Sequence, residues 1–447
     1  MVVVSADVRL ASGRSARLAQ VLGRQRARLA ATVSVGAYFA LLESLGGHDA
    51  WTRFGVPAMR PAFFDLHSVT SAWECTRRGI AVLPTNPCDP LQRSANYPRL
   101  WLLPSHLGLG QGDTFVIGLV LAVLFLAAAV VVLPADASVK TGLAYAAVLC
   151  SPAVMLGVER GNVDILLFAL LVIGVLVSRR GLRGLIAGDA ILLLVAILKL
   201  FPIFAVGFLL RRATKAALLS ALAIICGFAI DVFVTRNDIR AIFRVGFEED
   251  TFSYGVRRAT EWSAAFGGGQ VSPRVWDLAL VLAAAAIAYL LARRTRSSLA
   301  RATAVPTSQR DLDLFWAGAL VYVGSYAVER NFDYRLVFLL LTVPQLLHWA
   351  RAGHRLAFVT IAALLVTTWL DVWGSMPVVG SLLDSWNRLT EVGRDGQALP
   401  IAVIGQFVLF GTLMAWLVAT VPLKRNLTWN KWPLSIAAHG FEEGTDS

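Results

Sequence analysis

Between Phe63 and Trp101 the chain reads FFDLHSVTSAWECTRRGIAVLPTNPCDPLQRSANYPRLW, a polar stretch set between two apolar runs. It holds the carboxylates Asp65, Glu74 and Asp89 together with Cys75, Cys88, Arg77, Arg78 and Tyr97. A carboxylate facing a cationic pocket of low dielectric can take a proton from a hydroxyl while a phosphate-linked group departs. Asp65 is the first candidate for that base. It lies nearest the end of the preceding apolar run and opens a segment, Phe64 to Glu74, that suits a short interfacial helix. Asp89 precedes Pro90 and suits a turn, while Glu74, between Cys75 and Arg77, suits an ion pair. The plainer role for Asp65 is a helix cap.

Phosphate chemistry also needs cations, and two similar turns offer them. One runs Val158-Glu159-Arg160-Gly161-Asn162-Val163-Asp164, the other Val328-Glu329-Arg330-Asn331-Phe332-Asp333-Tyr334-Arg335. The shared pattern is too short to establish a repeat. Guanidinium forks match phosphate oxygens, so Arg160, Arg330 and Arg335, with Lys199 of Lys199-Leu200-Phe201-Pro202, are candidate phosphate-binding residues. Glu159, Asn162, Asp89, Tyr97, Asp333 and Tyr334, with Trp73 and Trp101, are candidates for the surrounding groove. The alternative is local: Glu159 and Glu329 neutralise their arginines, Asp164 and Asp333 cap the following helices, and the aromatic residues form an interface belt.

The elements that position these residues follow from composition. Of 447 residues, 57% are hydrophobic and 16% charged, with the apolar ones gathered into runs of membrane-spanning length. Backbone in lipid must satisfy its own hydrogen bonds, and the runs lack the alternation of a barrel, so the spans are helical. This excludes a soluble multidomain protein and makes the fold class an all-α polytopic membrane protein. A net charge of +12 would suggest nucleic acid in a soluble chain. Here the basic residues sit in short loops and in an N-terminal arm carrying Arg9, Arg14, Arg17, Arg24, Arg26 and Arg28, so they report topology, and no nucleic-acid motif is present. The organisation expected is a cytoplasmic basic arm at 1–30, one transmembrane domain at 31–435 and a cytoplasmic tail at 436–447. Its large extracytoplasmic loops are 46–112 and 236–274, the latter with Glu248-Glu249-Asp250.

Helices are expected at about Val33–Leu45, Phe115–Leu133, Gly142–Val158, Ile165–Val177, Ala216–Val234, Leu278–Ala292, Phe315–Val328 and Leu336–Trp349. Two more follow, one ending near Asp371 and one before Lys424, for about ten spans. The run Leu185–Leu210 decides the parity. As one span it puts Arg211, Arg212 and Lys215 outside, and with them the five arginines between Arg293 and Arg310, against the positive-inside rule. Pro202 offers a break, since proline lacks a donor and disfavours helix before it. Two half-helices can then form a re-entrant hairpin with Lys199 near its tip, beside protein or a wet cavity. Cys75 and Cys88 share the first loop and can pair if it faces an oxidising compartment, or remain free thiols.

Taken in order, an early-loop Asp65, Asn96-Tyr97-Pro98 leading into Leu100-Trp101, the Glu159-Arg160-Gly161-Asn162 turn, Lys199-Leu200-Phe201-Pro202 and Phe332-Asp333-Tyr334-Arg335 resemble the polytopic C-type (GT-C) glycosyltransferases. The likeness is to the bacterial mannosyltransferase-like members that use polyprenyl-phosphate sugars. The resemblance implies a catalytic acid at Asp65 and a lipid phosphate held by Arg160, Arg330 or Arg335. It further implies a polyprenyl-phosphate sugar donor, a lipid or glycan acceptor, and an active site on the outer face of the cell membrane. Asp65 is followed by Leu66 where many members carry paired acids, and a lone aspartate is a poor divalent-ion site, so no cofactor is indicated. The rival readings are a transporter or flippase of a lipid-linked anion, which would need the arginines but not Asp65, and a polyprenyl-linked glycan polymerase.

Overall fold

The computed structural model describes residues 25–244, 253–264, 272–301, 308–328, 330–373 and 400–422. The arginine-rich arm before Gln25, Glu248-Glu249-Asp250, Glu329 and the tail 436–447 lie outside the described residues. In chain order the helices are α1 (Arg26–Ser44), α2 (His48–Arg53), α3 (Phe64–Arg77), α4 (Thr114–Val132), α5 (Val139–Leu149), α6 (Pro152–Arg160), α7 (Val163–Val177), α8 (Gly181–Leu198) and α9 (Phe208–Arg211). They continue with α10 (Lys215–Val234), α11 (Arg236–Arg244), α12 (Val256–Ala264), α13 (Pro273–Arg301), α14 (Gln309–Val328), α15 (Val343–Arg351), α16 (Arg355–Trp373) and α17 (Pro400–Ala419). Longer 3₁₀ segments occupy Arg99–Leu107, Phe201–Gly207 and Asp333–Leu341. Two short strands, β1 (Ser253–Tyr254) and β2 (Asn331–Phe332), pair antiparallel and tie the second large loop to the second arginine turn.

Among the described residues five helices are long and apolar enough to cross a bilayer, or up to six if the bent pair α5 and α6 counts as one span. The sequence expectation of about ten spans is not reached by that measure. Three apolar runs are broken, two of them expected to be continuous, each beside a proline in the first turn of its second piece. The run expected at Gly142–Val158 bends by 62° between α5 and α6, which starts at Pro152. The run at Leu336–Trp349 is a 3₁₀ segment followed by α15, with Pro344 at its start. Proline fits the first turn of a helix and no later position without loss of a hydrogen bond, so each break falls where the second piece begins.

The third break is the expected one, with unequal arms. α8 is a full 18 residues, about 27 Å long, rather than a half-helix. Lys199 leaves it in extended conformation, and the chain returns through the Phe201–Gly207 segment and α9. Arg212 then donates to the carbonyl of Ser178, just past the end of α7, at 2.9 Å. The run therefore starts and finishes at one end of the molecule with Lys199 at the other, and its first arm, α8, is itself long and apolar enough to cross a membrane.

That arrangement gives the body two poles. At the pole away from Lys199, arginines meet helix-end carbonyls: Arg28 to Leu133 at 3.0 Å, Arg310 to Val132 at 3.0 Å and Arg296 to Val418 at 2.8 Å. Helix C-termini leave such carbonyls without intrahelical donors, and a guanidinium also suits their partial negative charge. Close packing holds the frame there: a Cβ at Gly142 would lie 2.2 Å from the Ala27 carbonyl, so α1 can meet α5 only at a glycine.

Candidate active site

The other pole is built on Asp65. Its helix, α3, starts after Phe63, a non-glycine residue in the left-handed region at φ 58°. Such a conformation costs about 1–2 kcal/mol and is held by packing. The Phe63 ring lies 5.9 Å from that of Phe115, and its Cβ would sit 2.8 Å from a side chain at Gly161. Gly161, at φ 58°, closes α6 and turns the chain into α7. The two helix ends that carry Asp65 and Arg160 are thus locked through one aromatic ring and one glycine.

Asn162 joins them chemically. It is the N-cap of α7, its Oδ1 accepting from the Asp164 amide at 3.1 Å, and its Nδ2 donates to Asp65 Oδ2 at 2.9 Å. Arg160 Nη1 lies 3.7 Å from the other Asp65 oxygen. Arg160 is itself fixed by the Pro57 carbonyl at 3.0 Å and by Glu159 Oε2 at 3.1 Å, while Glu159 Oε1 accepts from the Met59 amide at 2.8 Å. Asn162 therefore takes the cap that Asp164 was expected to provide. Asp164, fully buried, instead receives the Lys199 ammonium at 2.6 Å, with Arg335 Nε at 3.9 Å from its second oxygen.

Lys199 sits between aromatic faces, 5.5 Å from the Tyr97 ring centroid and 5.4 Å from that of Tyr334, within cation–π range. Burial pushes the Tyr97 phenol up, so it stays a neutral hydrogen-bonding group. Arg335 lies over Phe201 at 4.6 Å and donates to Asn331. Asp333 is fully buried beside them in the first turn of its 3₁₀ segment, with Phe332 as N-cap. Arg330 flanks β2, whose pairing with β1 holds this turn against the second loop. The two arginine turns, far apart in sequence, thus meet around Asp164.

The remaining candidates have structural duties. Asp89 is fully buried, paired to Arg93 at 2.8 Å and accepting from the Leu91 amide at 2.8 Å, so it shapes its own turn rather than a groove. Glu74 pairs with Arg77 at 2.7 Å and Arg78 at 2.6 Å, and the Arg77 guanidinium holds its carboxyl below the usual range. Trp73 donates to the Trp101 carbonyl, and Trp101 to the Leu198 carbonyl at 2.8 Å, so both pack the base of the site. Cys75 and Cys88 are bonded, with Cα atoms 5.7 Å apart. Arg93 was missed in the sequence. It stacks 4.1 Å over Phe64 and donates to the Phe64 carbonyl at 3.1 Å, bracing the turn before Asp65. Its only sequence signal was the i,i+4 spacing from Asp89.

Side-chain exposure separates the acids. Asp65 is 20% exposed, against 5% for Glu159 and 0% for Asp164 and Asp89. Glu74, at 16%, is engaged by two guanidiniums. Among the described residues no group of three His, Cys, Asp or Glu is placed to hold a metal ion.

A helical membrane body with one available carboxylate among cations and aromatic faces at one pole fits the class of membrane glycosyltransferases. Residues 100–308 match the model of Glycosyltransferase family 87, a polyprenyl-phosphate-dependent family of GT-C membrane enzymes. Over that segment the chain is similar to this glycosyltransferase family, and it is a multi-pass membrane protein. The matched segment takes in Arg160, Asn162, Asp164 and Lys199 and contains neither Asp65 nor Arg335. No curated protein and no solved structure gives a match. The family match favours sugar transfer over the flippase reading.

Proposed function

We propose that the protein transfers a sugar, with inversion, from a polyprenyl-phosphate-linked donor to a lipid or glycan acceptor on the extracytoplasmic face of the cell membrane. Asp65 is the general base in this reading. The acceptor hydroxyl gives its proton to Asp65 while its oxygen attacks the anomeric carbon, and the bond from that carbon to the phosphate oxygen breaks with its electron pair leaving on the phosphate. Arg160, Lys199, Arg330 and Arg335 stabilise that departing charge in a low-dielectric site. Tyr97 and Tyr334 flank the sugar, and Glu159, Asn162 and Asp333 fix the cations and the base around it. Asp89 acts only through Arg93.

The observation that carries this reading is the state of the Asp65 carboxylate. It is oriented by Asn162 at 2.9 Å, near Arg160 at 3.7 Å, and is more exposed than Glu159, Asp164 and Asp89. The family's dependence on polyprenyl phosphate supports the donor class. The facing rests on arginine distribution: helix-end arginines gather at the far pole, and the positive-inside rule makes that pole cytoplasmic. A Cys75–Cys88 bond in the Asp65 loop agrees with an oxidising exterior.

The test is transfer from a panel of radiolabelled polyprenyl-phosphate sugars by the purified protein and by Asp65→Asn at equal folded yield. The variant should lose about 10²- to 10⁴-fold in rate, the usual contribution of a general base. Transfer by Asp65→Asn at the wild-type rate would remove Asp65 from the role.

A further inference from the structure

At the pole opposite Asp65, one fully buried carboxylate is met by three guanidiniums. Asp313 of α14 accepts from Arg211 Nε at 3.0 Å and from Arg211 Nη2 on one oxygen. Its other oxygen accepts from Arg179 Nη1 at 2.5 Å and Arg212 Nη2 at 3.1 Å. Arg211 also donates to Gln309 Oε1 at 2.8 Å, and Arg212 to the Ser178 hydroxyl at 2.9 Å. The arginines come from the α7–α8 connection and from the end of α9, brought together by the return of the hairpin. Asp313 can balance one of these charges, and like charges this close repel strongly where water is scarce.

Beside the cluster lies a cleft of about 580 Å³ whose lining includes Arg179, Arg211, Arg212, Lys215, Thr214 and Gln309. Exposure is graded across it. Arg211 is the most buried arginine, at 8%, Arg212 is at 16%, and Arg179, at 32%, is the most open. The first turn of α10, capped by Thr214, borders the same space, so the positive end of a 20-residue helix adds to the field. The cleft sits where α8 and α10, both of membrane-spanning length, meet the end of the apolar layer, the level at which lipid phosphates lie.

We propose that this cleft is a phosphate-binding site, separate from the Asp65 site and at the other membrane surface. Planar guanidiniums that share one carboxylate keep donors that a phosphate oxygen can take, and a doubly charged ligand relieves their mutual repulsion. The phosphate can be carried by an anionic lipid of that leaflet or by a soluble phosphate. The proposal does not depend on the role given to Asp65.

Two arms test it and distinguish the sources. In one, the full chain in phosphatidylcholine nanodiscs is titrated with fluorescent phosphatidic acid; in the other, the chain in uncharged detergent is titrated calorimetrically with inorganic pyrophosphate. Arg179→Gln leaves Asp313 with Arg211 and Arg212, so the buried carboxylate keeps partners, and a melting curve checks its folding. Lys215→Gln, at the rim, carries the test if that variant does not fold. Each variant should weaken binding by about tenfold or more, the loss expected for one charge-assisted contact. Binding of phosphatidic acid alone assigns a lipid phosphate, and binding of pyrophosphate in detergent assigns a soluble one. If wild type binds neither probe, or a folded variant binds as wild type does, the proposal is overturned.

Discussion

The Asn162 side chain lies between two aspartates, its amide nitrogen 2.9 Å from Asp65 Oδ2 and its oxygen 3.1 Å from the Asp164 amide. One residue thus starts α7 and aims the candidate base, across a sequence separation of 97. Removing either half of that contact has a separate consequence. Asn162→Ala should cost about 1 kcal/mol as a lost cap and release the Asp65 carboxylate. Asn162→Ser restores a cap but is too short to reach Asp65. Sugar transfer should therefore stay depressed by about tenfold or more in the serine variant, while its melting temperature recovers. A serine variant as active as wild type would show that Asp65 needs no such hold.

The Lys199–Asp164 pair predicts a stability effect. Asp164 is fully buried and Lys199 bonds it at 2.6 Å. Lys199→Met should destabilise the fold by about 3–5 kcal/mol, because it leaves a buried charge without its main partner. Adding Asp164→Asn should recover much of that loss. Thermal unfolding in detergent reads both, and equal melting temperatures for the single and double variants would contradict the pairing.

Glu74 supplies the contrast to Asp65. It is engaged by Arg77 and Arg78 on an exposed face, so Glu74→Gln should leave sugar transfer within about twofold at neutral pH, in keeping with the small worth of surface pairs. Its folded pKa is depressed below 4.5. The stability it contributes is present above that value and is lost as pH falls through the folded pKa. Melting curves of wild type and Glu74→Gln should thus converge under acid conditions, and a gap that widens with acid would reverse the sign.

The disulfide predicts a dependence on oxidation. Cys75 and Cys88, 13 residues apart, close a ring in the Asp65 loop, and a ring of that size stabilises by about 3 kcal/mol. Cys88→Ser, or reduction, should lower the melting temperature and transfer together. Free-thiol titration of the denatured protein without reductant should find only Cys150 and Cys226.

The poles predict sidedness. Arg78 in the Asp65 loop and Lys140 at the start of α5 are both exposed. Single cysteines placed there, in a background with Cys150 and Cys226 replaced, should label from opposite faces of sealed vesicles. Labelling from the same face would undo the two-pole arrangement.

Much of this site was legible locally. Asp65, the two arginine turns and the Lys199-Leu200-Phe201-Pro202 break stood out because ionisable residues beside apolar runs are costly and seldom idle, and a proline marks where helical bonding fails. The same local rule applies at Pro152 and Pro344, where the apolar runs continue past the proline but the helices do not: the first bends by 62° and the second passes from a 3₁₀ segment into α15. The rivalry among Asp65, Glu74 and Asp89 could not be closed locally either. Each sits in a plausible turn or helix, and only the partners differ: Arg93 buries Asp89, Arg77 and Arg78 occupy Glu74, and Asn162 leaves Asp65 accessible.

The sequence by itself determined that the chain is a helical membrane protein, because apolar content and run length bear on the bilayer directly, and it marked the candidate site residues. Only the tertiary structure decided which charge meets which. Asp164 finds Lys199 at a separation of 35, and Asp313 finds Arg179 at 134. Such pairings follow from how helices pack and where broken segments return, and nothing in the local spacing of either residue encodes them.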